Sequence, residues 1–239
     1  MKRGISQEGL KLLACITMLI DHVGAALVLK ASITRPELFG MYEWMRTIGR
    51  LSFPIFCFLL AEGVHYTGSP RRYALRLLLS AVLSELPFDL AFHGGIYWYS
   101  QNVMLSLFLG VCALELMKKC PNGVLKLMAA VPFALLAEFL CSDYSADGVL
   151  LMALFGITRD MPYKRLLQGL GMAFLFTQMA SAPLSWASSI TLQQVATLAI
   201  VPICFYSGQK KTNSKAIQWA FYLFYPAHLL ALWLIGLVL

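Results

Sequence analysis

Long apolar runs separated by short polar segments dominate the chain. An α-helix needs roughly 20 apolar residues to cross a bilayer, and shorter helices are accepted inside a bundle. The sixth predicted helix is short, so it is a candidate for a broken or re-entrant segment, which is tolerated only within protein or beside water. The pattern predicts nine helices, near residues 10–29, 50–66, 73–92, 103–117, 124–141, 147–158, 166–181, 192–207 and 216–238.

Composition points to the same class of protein. Of the 239 residues, 59% are hydrophobic and only 13% are charged, whereas about 25% of residues are charged in soluble domains. Neither a soluble domain nor a clear internal repeat interrupts the apolar runs. The prediction is therefore an all-α, polytopic membrane helix bundle of about nine spans that forms a single domain over residues 1–239.

The basic residues predict how the bundle is oriented, since short cytoplasmic loops carry an excess of Lys and Arg. Fifteen of the 19 basic residues form five groups that fall on one side of the nine-helix arrangement. We therefore expect the N-terminus in the cytoplasm and the C-terminus outside. No single basic face with interleaved aromatic residues is evident, so nucleic acid is not an expected partner. The groups are Lys2, Arg3 and Lys11; Arg71, Arg72 and Arg76; Lys118, Lys119 and Lys126; Arg159, Lys164 and Arg165; and Lys210, Lys211 and Lys215.

The four remaining basic residues lie in the first predicted outside loop. Two of them, Arg46 and Arg50, are four residues apart and would share one helical face at the mouth of the second span. In one interpretation they extend to the membrane interface. In the other they pair with a carboxylate inside the membrane or hold an anionic group, because a buried guanidinium needs such a partner.

Asp21 and His22 stand inside the first apolar run. An ionisable pair at membrane depth is costly and indicates a functional site. Adjacent residues diverge by about 100° on a helix, so one of the pair can face a cavity while the other faces a neighbouring helix. Further polar residues fall on the same outer side and predict one polar cavity that opens outward; they are Glu85, Asp89, Asn102, Glu138, Asp143 and Asp147.

A histidine with nearby carboxylates suits two kinds of chemistry. An imidazole oriented by a carboxylate is a general base, which can take a proton from an attacking amine or hydroxyl during acyl transfer. The same residues would also form a proton relay in a transporter or flippase. A non-catalytic assembly factor for a surface structure is a third possibility. The four histidines lack metal-binding spacing, so no metal is expected.

Six ordered strings resemble the TraX family of bacterial membrane proteins, which is associated with N-acetylation of pilin. They are LKLLACITMLIDHVGA, RTIGRLSFPIFCFLLAEGVHYT, RRYALRLLLSAVLSELPFDLAF, QNVMLSLFLG, DYSADGVLL and FYLFYPAHLL. The likeness covers nearly the whole chain, and TraX proteins are similar in turn to a broader group of transmembrane acyltransferases. The resemblance implies a multi-pass protein of the bacterial inner membrane, with cytosolic acetyl-coenzyme A as donor substrate. It also implies an acceptor reached from the other side: a peptide N-terminus, a sugar or a small amine.

By position, His22 corresponds to the histidine that serves catalysis in that broader group. Asp21 or another carboxylate would orient its ring, and Arg50 or Asn102 would stabilise charge on the thioester oxygen. The donor would bind at Arg71, Arg72 and Arg76, with Glu62 and His65 along its path. The expected acceptor site comprises Arg46, Arg50, Glu85, Asp89, Asn102, Glu138, Asp147 and His228.

Structural interpretations of several of these residues stay open. Glu85 and Asp89 share a helical face and could form a packing network with Arg46 or Arg50. Glu62 and His65, three residues apart, could instead be an interfacial pair. His228 could cap a backbone carbonyl freed by Pro226 or face the cavity.

Overall fold

The computed structural model describes residues 4–181, 193–210 and 214–238, so the predicted basic residues Lys2, Arg3 and Lys211 lie outside the described ranges. Within these ranges there is no strand, and two isolated β-bridges join Ile5 to Tyr206 and Gln101 to Ser142. The helices are α1 (Gln7–Val23), a π-helical segment (Gly24–Val28), α2 (Leu29–Ser32), a 3-10 turn (Pro36–Leu38), α3 (Phe39–Gly49), α4 (Ser52–Tyr66), α5 (Pro70–His93), α6 (Val103–Met117), α7 (Gly123–Phe139), α8 (Ser145–Thr158), α9 (Lys164–Ser181), a 3-10 turn (Ala196–Ala199), α10 (Ile200–Cys204) and α11 (Lys215–Gly236).

Each of the nine predicted helices has a helical counterpart, and α8 is one continuous helix. The first outside loop differs from the prediction, because most of it is the helix α3. At 11 residues, α3 is too short to cross a membrane by itself. It packs against α1 and the π-helical segment, and the approach is close: a Cβ at Gly24 would lie 3.0 Å from the Met45 Cβ.

Three helical stretches are long and apolar enough to cross a membrane, namely Gln7–Ser32, Pro36–Tyr66 and Ala216–Gly236. Three further apolar helices are shorter: Val103–Met117, Ser145–Thr158 and Gln193–Cys204. The all-helical membrane fold is thus confirmed for the part of the chain that the structure describes. The count of nine spans, the orientation and the single domain stay predictions.

The chain divides into two compact units. The first unit comprises Met1–Phe56, Leu86–Ile96 and Phe176–Leu239. In it α1 packs against α3 and α11, and Gly236 on α11 lies in van der Waals reach of Leu27. Buried Leu10, Ala14 and Leu229 contribute to its core. The packing of α3 and α11 on α1 sets the surroundings of Asp21 and His22.

The second unit comprises Cys57–Glu85 and Tyr97–Leu175, and α6, α7 and α8 pack against one another within it. Small residues permit this packing. A side chain at Gly110 would collide with Met152, and one at Gly156 would collide with Leu114. The second unit is therefore built on tight contacts between helices.

Candidate functional site

Asp21 and His22 lie near the C-terminal end of α1 in the first unit, and the helix changes there from α to π geometry. Short π-helical segments within α-helices are frequent at functional sites. Both residues stand within Gln7–Ser32, one of the stretches that can cross a membrane. The sequence-predicted pair therefore occupies a specialised position in the helix.

His22 is bonded to a second histidine from α11. Its Nδ1 lies 2.7 Å from the Nε2 of His228, whose own Nδ1 lies 2.7 Å from the carbonyl oxygen of Phe224. The two ring planes are inclined by only 12° and the ring centroids are 5.0 Å apart. Because the bonded nitrogens lie between the ring centres, the rings meet edge to edge, almost in one plane.

His228 bonds a backbone carbonyl, and its other ring nitrogen bonds His22. The carbonyl differs from the expected one. Pro226 has no N–H and therefore frees the carbonyl of Tyr222, four residues earlier, whereas His228 bonds the carbonyl of Phe224. Aromatic rings surround the pair. Phe92 contacts His22 edge-on at 5.2 Å, and Phe224 stacks on His228 at 4.7 Å, both measured between centroids.

Asp21 forms an ion pair with α3. Its Oδ2 lies 2.5 Å from Nη1 of Arg46 and 4.0 Å from Nε2 of His22. Arg50 also acts on Asp21 and His22 electrostatically. The backbone of Gly49 approaches so closely that a Cβ there would overlap the Asp21 side chain.

The sequence left open whether Arg46 extends to the membrane interface or pairs with a carboxylate. The geometry supports the pair, because Asp21 lies inside a stretch that can cross a membrane. It also changes the expected role of Asp21. The bond that orients the His22 ring comes from His228, whereas the nearest Asp21 oxygen lies beyond hydrogen-bonding distance of the ring and is bonded to Arg46.

In the second unit, Asn102 is fully buried at the start of α6. Its side-chain oxygen accepts from the Met104 amide at 3.0 Å, as an N-cap does. Its side-chain nitrogen donates to the Ala81 carbonyl at 2.8 Å and to Glu85. Asn102 and Glu85 therefore tie the start of α6 to α5, which is a structural use of two predicted acceptor residues.

The other acidic candidates are divided between the units. Glu138 accepts from the Ala146 amide at 3.3 Å and Asp147 lies in the first turn of α8, both in the second unit. Asp89 is buried in the first unit. The residues predicted to line one cavity thus fall into two separately described units, and the shared cavity stays a prediction.

Among the predicted donor residues, Arg71 and Arg72 are exposed in the first turn of α5. Arg76 lies over the Tyr73 ring at 5.7 Å, and His65 meets the Tyr66 ring edge-on. Glu62 is paired with Arg159, whose Nε lies 3.0 Å from its Oε1. An ion pair with Arg159 is therefore a better description of Glu62 than the alternative pair with His65.

Sequence reasoning missed two of these contacts. The histidines of the His22–His228 bond are 206 residues apart, and Arg159 stands 97 residues after Glu62. Neither separation carries a local spacing signal. The single available signal was that each residue is polar within or beside an apolar run.

Comparison with known proteins gives one family and two relatives. The TraX protein family model matches residues 6–236. The probable fimbrial assembly protein FimC, serogroup H1, of Dichelobacter nodosus is 27% identical over 233 residues, which cover 92% of this chain and 91% of that protein. The uncharacterized protein RP591 of Rickettsia prowazekii is 32% identical over 106 residues, which cover 44% of this chain and 35% of that protein. No solved structure matches. The resemblance seen in the sequence is confirmed, and the chain belongs to the TraX family.

Proposed function

We propose that this protein is an integral membrane acetyltransferase that moves an acetyl group from cytosolic acetyl-coenzyme A to an amine or hydroxyl acceptor, with His22 as general base. The observation that supports this most is the environment of the His22 ring. His228 engages Nδ1 at 2.7 Å, and Nε2 remains for proton transfer beside Asp21. Membership of the TraX family also supports an acetyltransferase, because TraX proteins resemble transmembrane acyltransferases.

The reaction needs one proton transfer at that nitrogen. The acceptor nitrogen or oxygen attacks the acetyl carbon, the new bond forms, and the carbon–sulfur bond breaks. The acceptor proton passes to Nε2 of His22 and then to the sulfur of coenzyme A, so the histidine is regenerated. Asp21, whose Oδ2 lies 4.0 Å away, would stabilise the positive ring in between.

Two arginines give the site positive charge. Arg46 and Arg50 both act electrostatically on His22, and fixed positive charge favours the negative charge that develops on the thioester oxygen. We assign this role to Arg50, one of the two residues predicted for it from the sequence.

The donor would bind at the start of α5. Exposed Arg71 and Arg72 at the start of α5 carry guanidinium groups that suit phosphate, and Arg76 follows one turn later. The acceptor would be a peptide N-terminus, a sugar or a small amine.

The test measures consumption of radiolabelled acetyl-coenzyme A by protein in lipid nanodiscs, with a free peptide N-terminus, an amino sugar and a small amine offered as acceptors. We expect His22→Ala to lower turnover by at least about 100-fold, the usual minimum for losing a general base. The matched control is His93→Ala, because this ring is exposed at the end of α5. Equal turnover by His22→Ala and wild type would refute the role of His22.

A second candidate function is non-catalytic assembly of a surface structure. The observation that favours it is the name of the Dichelobacter nodosus relative, a probable fimbrial assembly protein. Folded wild-type protein that neither binds nor consumes acetyl-coenzyme A would favour this function over the acetyltransferase.

A further inference from the structure

We propose that His228 is a positioning residue that keeps the proton of neutral His22 on Nδ1 and so leaves Nε2 as the basic nitrogen. This inference rests on the proposed function, in which His22 is the general base. It assigns to His228 a role different from the acceptor contact predicted from the sequence.

Two hydrogen bonds in series determine where the protons lie. The Phe224 carbonyl can only accept, so the Nδ1 of His228, 2.7 Å away, carries a hydrogen and donates it. When His228 is neutral, its Nε2 therefore has a lone pair and must accept. The hydrogen in the 2.7 Å bond between the rings then belongs to Nδ1 of His22. Neutral His22 consequently has its lone pair on Nε2.

This arrangement places the lone pair on the useful side of the ring. Nε2 of His22 lies 4.0 Å from Oδ2 of Asp21. A proton taken up there gains a carboxylate neighbour, and the bond to His228 is retained. In the opposite tautomer Nε2 would carry a hydrogen, and the lone pair would point at His228 instead of a substrate.

The surroundings hold His228 in place for this task. The residue is 8% exposed, in the interior of α11. Phe224 stacks on its ring with 4.7 Å between centroids, and Tyr225 meets it edge-on at 5.6 Å. The carbonyl that it binds lies one helical turn earlier on the same helix, so donor and acceptor move together.

The direct test is nitrogen NMR of protein in nanodiscs with ¹⁵N-labelled histidine. The chain has four histidines, and His22→Ala and His228→Phe assign the two relevant signals. We expect wild-type His22 to show a protonated Nδ1 and an unprotonated Nε2. In His228→Phe the His22 proton should no longer be confined to Nδ1. A wild-type His22 with its proton on Nε2 would overturn the proposal.

Turnover provides the second test, through rescue. Phe removes the acceptor, and we expect kcat to fall about 10- to 100-fold, as when the partner of a functional histidine is lost. Gln retains an oxygen that can accept from His22, so His228→Gln should recover much of the loss with KM unchanged. Equal turnover of the Phe variant and wild type, or no recovery by Gln in a folded protein, would overturn the role.

The two tests separate this inference from the proposed function. If wild-type protein consumes no acetyl-coenzyme A, the acetyltransferase proposal fails, while NMR still decides whether His228 fixes the His22 tautomer. If turnover depends on His22 but the tautomer is the opposite one, the function stands and the role of His228 falls. Thermal unfolding of each variant shows whether it remains folded.

Discussion

Two arginine–carboxylate pairs, one in each unit, differ in how completely their polar atoms are bonded. In the second unit, Arg159 donates from all three of its nitrogens, to Glu62 at 3.0 Å, to Asp160 at 3.0 Å and to the Tyr66 hydroxyl at 2.9 Å. Its guanidinium also lies over the Tyr66 ring. Each guanidinium nitrogen thus has a hydrogen-bond partner, and the evident effect of the network is to hold α4 and the end of α8 together.

In the first unit, the pair of Arg46 and Asp21 is less complete. Oδ2 accepts from Arg46, but Oδ1 is buried and has no hydrogen-bond partner among the described residues. The same carboxylate lies beside the His22 ring. A buried polar atom without a partner is costly and is found more often at functional sites.

The comparison teaches that burial of charge alone does not identify a site. Both carboxylates are similarly covered, at 13% and 16% side-chain exposure. Each carboxylate is paired with a guanidinium, which cannot transfer protons, but Asp21 also lies beside the imidazole of His22, which can.

The largest expected contrast comes from removing each arginine. We expect Arg46→Ala to lower acetyl transfer about 100-fold, because Asp21 loses the ion pair that holds its carboxylate beside the His22 ring, and a misplacement of about 1 Å at a reacting centre can cost that much. Arg159→Ala should instead lower the free energy of unfolding by about 1–3 kcal/mol through the lost charged hydrogen bonds. Turnover is measured with radiolabelled donor, and unfolding with a thiol-reactive dye, whose signal rises above that of the exposed Cys141 and Cys204 when the buried Cys15 and Cys57 become accessible.

Arg46→Lys is the matched control for charge. It retains the positive charge but not the planar guanidinium, so intermediate turnover is expected. If Arg46→Ala and Arg159→Ala have the same effect on turnover and on unfolding, the distinction between the two pairs is wrong.

Asn102 tests the second unit further. Its amide bonds the Ala81 carbonyl and Glu85, and its oxygen caps α6. We expect Asn102→Ala to lower the free energy of unfolding by about 2 kcal/mol, from loss of the cap and of a bond to a charged group. The dye assay measures this. A fall in turnover without a fall in stability would restore Asn102 as a residue that binds the thioester.

Much of the fold was predictable because apolar runs of helical length have few alternatives in a membrane. The helices near 103–117 and 147–158 agree closely with α6 and α8. The helix α3 was missed because it is stabilised by packing on α1, and Gly24, which permits that packing, carries no signal of its own.

The candidate site was only partly predictable. His22 and Asp21 were identifiable because a charge inside an apolar run is unusual. Pairing of Arg46 or Arg50 with a carboxylate inside the membrane was one of the sequence interpretations, but which carboxylate was not identifiable, and His228 is 206 residues away from His22. Polarity therefore located the site in the sequence, while tertiary packing determined which residue bonds which.

The smallest expected effect concerns the backbone beside Asp21. A Cβ at Gly49 would overlap the Asp21 side chain, so Gly49→Ala must displace the carboxylate. We expect turnover to fall about 10-fold, because small misplacements at a reacting centre are costly. Strain should also lower the free energy of unfolding by about 1–3 kcal/mol.

Gly40 on the same helix offers the matched control, since a Cβ there would meet nothing within 4 Å. Gly40→Ala should leave turnover unchanged and stabilise α3 by up to about 1 kcal/mol through helix propensity. If both glycine variants retain full turnover, the position of Asp21 does not matter for the reaction. If only Gly49→Ala loses turnover, the close approach of α3 to α1 sets the position of the Asp21 carboxylate in its pair with Arg46.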